Sequence, residues 1–149
     1  MLIRRAERAD VPLLSDIVER AYAPYIERIG RRPAPMDDDY DAKTERGEVF
    51  VADDGGVAGV IVLVAYTDDL LVENVAVAPA RQGTGVGRRL LAYAEEYAAA
   101  LGLSELRLYT NEAMTENLSF YPRLGYRETG RRIEDGFRRV YYSKKLPSA

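Results

Sequence analysis

LLVENVAVAPARQGTGVGRRLL, residues 70–91, divides into a strand, a glycine loop and a helix. Leu70 to Val77 is rich in Val and Leu, as a buried strand should be. Pro79 ends it, because proline has no N–H to give a sheet ladder. Gln82, Gly83, Thr84, Gly85, Val86 and Gly87 follow, with three glycines in five residues. Such a loop lets backbone come close to a ligand and points successive N–H groups one way. A helix then starts, with Val86, Leu90, Ala94, Tyr97 and Leu101 on one face. Free N–H groups and the positive end of the helix dipole meet at the loop, which predicts an anion site.

The spacing excludes two common phosphate loops. A P-loop needs Gly-Lys-Ser/Thr, and Gly87 is followed by Arg88. A dinucleotide fingerprint needs G-x-G-x-x-G, and Gly83-x-Gly85-x-Gly87 lacks that interval. The run VAPARQGTGVGRRLL does resemble the acetyl-CoA loop of the GNAT N-acetyltransferase superfamily. That loop carries Q/R-x-x-G-x-G/A after a strand ending in V-x-P, and Gln82, Gly85 and Gly87 fill it here. A second segment, Phe120-Tyr121-Pro122-Arg123-Leu124-Gly125-Tyr126, is similar to the family's F-Y-x-x-x-G-F/Y. Arg88 and Arg89 read either as solvated helix residues or as phosphate neighbours.

Composition narrows the chemistry. A net charge of -3 argues against a nucleic-acid partner, which would call for a basic chain. No apolar run reaches membrane-spanning length, and the start MLIRRAERAD is not a signal peptide, so no membrane partner and a cytoplasmic address are expected. There is no cysteine, hence no disulfide and no thiolate metal site. There is no histidine either, so an acid or base must be a carboxylate, Tyr, Lys or water. No metal is expected.

The 149 residues suggest one domain, without repeats or linkers. Met1 to Arg5 reads as a strand. Asp10 before Val11-Pro12 predicts a capped helix start, continued by Leu13, Leu14, Ile17, Val18 and Ala21. Pro33 and Pro35 mark a loop. Asp37, Asp38, Asp39 and Asp41 suit a helix N-terminus, or a rim that attracts a cationic amine. Strands at Glu48–Ala52 and Val57–Tyr66 flank the turn Asp53-Asp54-Gly55-Gly56. Ser104 to Thr110 alternates as a strand, and Thr115 to Leu124 reads as a short helix stopped by Gly125. Tyr126–Ile133 and Phe137–Leu146 form a final hairpin around Glu134-Asp135-Gly136. The class is α/β with α+β character: a mixed central sheet of about seven strands flanked by about four helices. This order matches the GNAT fold along nearly the whole chain.

The resemblance implies an acetyl-CoA-dependent N-acetyltransferase acting on an amine, with coenzyme A lying where two central parallel strands, Leu70–Val77 and Glu105–Thr110, splay apart. It places the backbone of Val75, Ala76 and Val77 along the pantetheine arm. It places Gln82, Gly83, Thr84, Gly85, Val86, Gly87 and Arg88 at the pyrophosphate, and lets Asn111 and Asn117 reach the pantetheine. Asn117 departs from the commoner spacing, and helix capping would explain it equally. Tyr121 matches the family's usual general acid; a phenol, pKa ~10, can protonate a departing thiolate. Glu73 is the candidate base, since a carboxylate in an apolar strand must face water or a partner. A regular strand would point Asn74 the opposite way, although strands of this family often bulge here.

Two functions remain open at this level: an enzyme, or a non-catalytic acyl-CoA sensor that would not need Glu73 and Tyr121. The acceptor, small molecule or peptide, is not legible. A homodimer with Tyr141-Tyr142 at its interface is a further expectation.

Overall fold

Alternation and β-branching in seven segments build one sheet in the computed structural model, which describes residues 1–147. The strands are β1 (Leu2–Arg5), β2 (Val49–Asp53), β3 (Val57–Ala65), β4 (Leu70–Val77), β5 (Glu105–Asn111), β6 (Arg127–Glu134) and β7 (Phe137–Lys145). Their order is β1-β2-β3-β4-β5-β7-β6, and every neighbouring pair is antiparallel except β4 and β5. The helices are α1 (Val11–Tyr22), α2 (Ile26–Ile29), α3 (Tyr40–Glu45), α4 (Val86–Ala100) and α5 (Thr115–Arg123). None is long and apolar enough to cross a membrane.

Two helices cover the two faces of the central strands, which explains why β3 is apolar almost throughout. On one face α1 sets Leu14, Ile17 and Val18 against Val49, Val51, Val60 and Val62. On the other, α4 sets Val86, Leu90, Leu91, Ala94 and Ala98 against Phe50, Ile61 and Leu63. Gly59 on β3 permits that approach: a Cβ there would lie 2.9 Å from Val86 Cγ1 and 3.1 Å from Leu90 Cδ1. The apolar stripe of α4 is rotated from the expected one. Leu101 is 47% exposed, and Leu91 and Ala98 take the buried positions.

Three further expectations need correction. Asp10 does not cap α1. Its carboxylate accepts from the Glu7 backbone N–H at 2.7 Å and from both terminal nitrogens of Arg4, at 2.8 and 3.0 Å. Those charged donors hold it better than a helix N–H would. The strand expected from Glu48 begins at Val49 and runs to Asp53, because the turn needs only the residues after it. Tyr142 is not free for an interface: it is buried against Tyr121, with ring centroids 5.9 Å apart. The final hairpin follows its sequence closely. Asp135 and Gly136 take φ of 53° and 80°, the left-handed pair that a tight two-residue turn requires.

The sheet opens at its centre. β4 and β5 pair only through Leu70–Leu106, Leu71–Arg107 and Val72–Leu108. Beyond that the register of β4 on β3 slips: Val72 opposes Leu63 while Asn74 opposes Val62, so Glu73 is the extra residue of a β-bulge. A bulge bends its strand, and this one turns the end of β4 away from β5.

Candidate active site

The gap between β4 and β5 leads to the glycine loop at the start of α4. Gly83 and Gly85 take φ of 79° and 92°, and a Cβ on either would meet only open space. The N–H groups of Gly83, Gly85, Val86, Gly87 and Arg88 have no backbone acceptor among the described residues; the first helical bond of α4 is Arg89 N–H to Gly85 O at 3.0 Å. Unpaired donors at a helix N-terminus form an anion site. Gln82 is turned back on the strand, its Nε2 donating to Val77 O at 3.3 Å. A cavity of about 580 Å³ runs from this loop along Val75, Ala76 and Val77 to Asn117, Phe120 and Tyr121. A long, phosphate-bearing thioester suits this cleft: donors at one end, strand backbone beside the middle.

A second, narrow cavity of about 60 Å³ lies beyond it. Tyr22, Val75, Met114, Asn117 and Tyr121 line both, so the two meet at these side chains. Its remaining walls include Ile29, Pro33, Pro35, Tyr109 and Phe137, with Glu73 and Asn111 among the polar groups. The structure thus brings Glu73, Asn111, Asn117 and Tyr121 to one place. Asn111 Oδ1 accepts from the Ala113 N–H at 2.9 Å, and Asn117 Nδ2 donates to Thr110 Oγ1 at 2.9 Å. Asn117 is inside α5 and caps nothing with that bond.

Tyr121 is buried against Phe120, Tyr126 and Tyr142. Burial, with a smaller contribution from Tyr142, pushes its phenol well above the ordinary value, so the hydroxyl remains a proton donor across the neutral range. The bulge explains Glu73 and Asn74 together. Asn74 turns inward, where it accepts from the Tyr22 hydroxyl and donates to Tyr40 Oη at 2.9 Å. Tyr40 in turn donates to Pro35 O at 2.6 Å. This chain satisfies every member and fixes the bulge. Glu73 is left facing the cavity.

Sequence reasoning missed the partner of Glu73. Lys43 on α3 gives its ammonium to the Glu73 carboxylate, and Asp38 Oδ2 lies 4.0 Å from the same nitrogen. Burial works against the Lys43 charge, but Glu73, Asp38 and Glu48 outweigh it and raise its pKa. Burial likewise pushes the Asp38 carboxyl up, against the pull of Lys43. A lysine on a polar helix carries no signal of this kind; only the position of α3 over the bulge creates it. Three of the four aspartates have separate roles: Asp39 accepts from the Ala42 N–H at 3.0 Å as the cap of α3, Asp37 accepts from Arg32 Nε at 3.0 Å, and Asp38 faces Lys43.

Residues 45–128, which contain the glycine loop and Tyr121, match the family described as Acetyltransferase (GNAT) domain. A curated relative, the uncharacterized N-acetyltransferase YvbK of Bacillus subtilis, is 34% identical over 95 residues, 62% of this chain and 61% of its own length. Among solved structures, nourseothricin acetyltransferase is 31% identical over 66% of this chain and 64% of its own, with a TM-score of 0.60. The chain therefore spans under two thirds of either relative. A Bacillus subtilis acetyltransferase solved in complex with CoA matches more fully: 25% identity, 97% and 98% coverage, and a TM-score of 0.75.

Proposed function

The chain belongs to the GNAT acetyltransferase family, and from that premise we propose that it transfers an acetyl group from acetyl-CoA to a primary amine by direct attack. One observation carries this reading. The loop with unpartnered N–H groups and the cavity holding Glu73 meet at Tyr121, so a thioester and an amine arriving from opposite sides would touch there. The CoA complex of the Bacillus subtilis neighbour supports coenzyme A as the co-substrate. We include all 149 residues in one such domain.

The free backbone N–H groups of Gly83, Gly85, Val86, Gly87 and Arg88 hold the pyrophosphate, with Gln82 and Thr84 shaping the loop. Val75, Ala76 and Val77 run beside the pantetheine arm, and Asn111 and Asn117 stand across from them. The amine nitrogen bonds to the thioester carbon as the carbon–sulfur bond breaks. Glu73 takes the proton that nitrogen loses, directly or through water. Tyr121 gives a proton to the departing sulfur. An amide and free CoA result; an acceptor that enters as an ammonium first gives its extra proton to water, and the proton taken by Glu73 returns through solvent to Tyr121, so the balance closes.

The experiment is release of free CoA thiol from acetyl-CoA, measured against a panel of amines, amino acids and peptides. Thiol release that depends on an amine supports the proposal. Binding of acetyl-CoA with no release for any acceptor would instead favour a sensor.

A further inference from the structure

The charges around Glu73 limit what can enter. Two carboxylates, Glu73 and Asp38, face the Lys43 ammonium, which already fills the cation position between them. One negative charge is left unbalanced. The other cation on this wall, Arg139, is engaged: it donates to Glu134 Oε1 at 2.8 Å and its guanidinium lies 4.4 Å from the Tyr109 ring centre. Asp135 stands at the exposed rim beside Arg31, which donates to the Asp135 carbonyl at 2.9 Å. Further in, Ile29, Pro33, Pro35, Tyr109 and Phe137 make the apolar part of the wall, and the polar groups beside them, Asn111, Asn117 and Thr110, are neutral, so past Glu73 a second charged group meets no carboxylate.

We propose that the acceptor is a primary amine bearing a single positive charge on a slim apolar or aromatic stem, and that Lys43 sets this limit by occupying the second cation position. The inference rests on the acetyl-transfer reading of the same site. The acceptor ammonium supplies the one charge that the Asp38–Lys43–Glu73 group lacks. Inside the rim on which Asp135 stands, a second ammonium on the same molecule would have to sit against Lys43, against Arg139 or among the uncharged wall residues, and each costs free energy. Lys43 is thereby a specificity-determining residue.

Pentylamine and 1,4-diaminobutane test this, being matched in length and differing by one charge. Binding of each to the protein–CoA complex is measured by calorimetry, alongside thiol release with acetyl-CoA. The wild type should prefer pentylamine by about tenfold or more, given the strength of one charge pair at partly buried sites. Lys43→Gln should move the ratio about tenfold towards the diamine, and Lys43→Arg should keep it. Equal or tighter binding of the diamine by the wild type, or of neither amine, overturns the proposal. So does a folded Lys43→Gln variant with an unchanged ratio. Preferential binding of pentylamine without thiol release leaves the charge limit standing and removes the acetyl-transfer reading, so the two fail separately.

Discussion

The Lys43 ammonium and the Glu73 carboxylate are ion-paired at the bulge of β4, although they lie 30 positions apart in sequence. An incoming amine that gives its proton to Glu73 must share that carboxylate with Lys43. The pair is therefore a competitor as well as a support. Glu73→Gln tests the balance. It should lower turnover most at low pH, where the acceptor is largely protonated and needs a base. At high pH the free amine needs none, and the variant should partly recover. A carboxylate that only attracts the amine would behave differently, raising KM at all pH values with little change in kcat. A pH profile of kcat and KM with one good acceptor separates the two.

Gly85 carries the second prediction. Its φ of 92° is strained for any side chain, and a Cβ would project into open space at the mouth of the loop. Gly85→Val should therefore lose acetyl-CoA binding more than it loses folding. In the wild type, acetyl-CoA at 100 times its Kd should stabilise the protein by about 2.7 kcal/mol and raise Tm accordingly. ATP and NAD should do much less. An equal shift from ATP, or a full acetyl-CoA shift in Gly85→Val, would count against the loop as the pyrophosphate site.

The loop was legible because its information is local: Pro79, Gly83, Gly85 and Gly87 each restrict or free the backbone in a way that spacing reveals. The same holds for Asp135-Gly136, whose turn follows from residue type alone. Glu73 was legible by contrast, as a charge in an apolar strand, and the bulge that frees it from the inward side is visible as a register slip. Lys43, Tyr22 and Tyr40 were not. Their roles come from α1 and α3 crossing β4, a tertiary relationship to which local propensity is blind. Tyr142 departs from expectation for a related reason. Strand alternation says that Tyr141 and Tyr142 face opposite ways, and only the packing of α5 says which one is covered.

Asp10 gives a prediction about stability. Arg4 first, and the Glu7 N–H after it, hold the Asp10 carboxyl below its ordinary value despite burial. A depressed carboxylate contributes stability that is present above its unfolded pKa and lost as pH falls through the folded one. Asp10→Asn should thus destabilise the protein at pH 7, by roughly 1–3 kcal/mol for a largely buried charged hydrogen bond. The difference from wild type should shrink as pH falls below about 4, where the unfolded carboxyl begins to protonate. Urea unfolding at pH 7 and pH 3 measures both values. A deficit that is the same at both would mean that shape, not charge, is what Asp10 supplies.

Tyr121→Phe removes one hydroxyl from a ring packed among three other aromatic rings. The ring remains, so folding and CoA affinity should change little. Turnover should fall by roughly ten- to ten-thousand-fold if the phenol protonates the departing thiolate. The raised pKa adds a sign. Burial keeps the phenol protonated beyond the ordinary value, so ionisation of Tyr121 should produce no alkaline loss of activity below about pH 10. Any fall at lower pH must come from another group and should persist in Tyr121→Phe. The decisive comparison is kcat for both proteins from pH 6 to 10 with one acceptor. An unchanged kcat in the variant assigns the proton to water and removes Tyr121 from the chemistry. A fall of the expected size that is uniform across this range is the signature of a donor that stays protonated throughout.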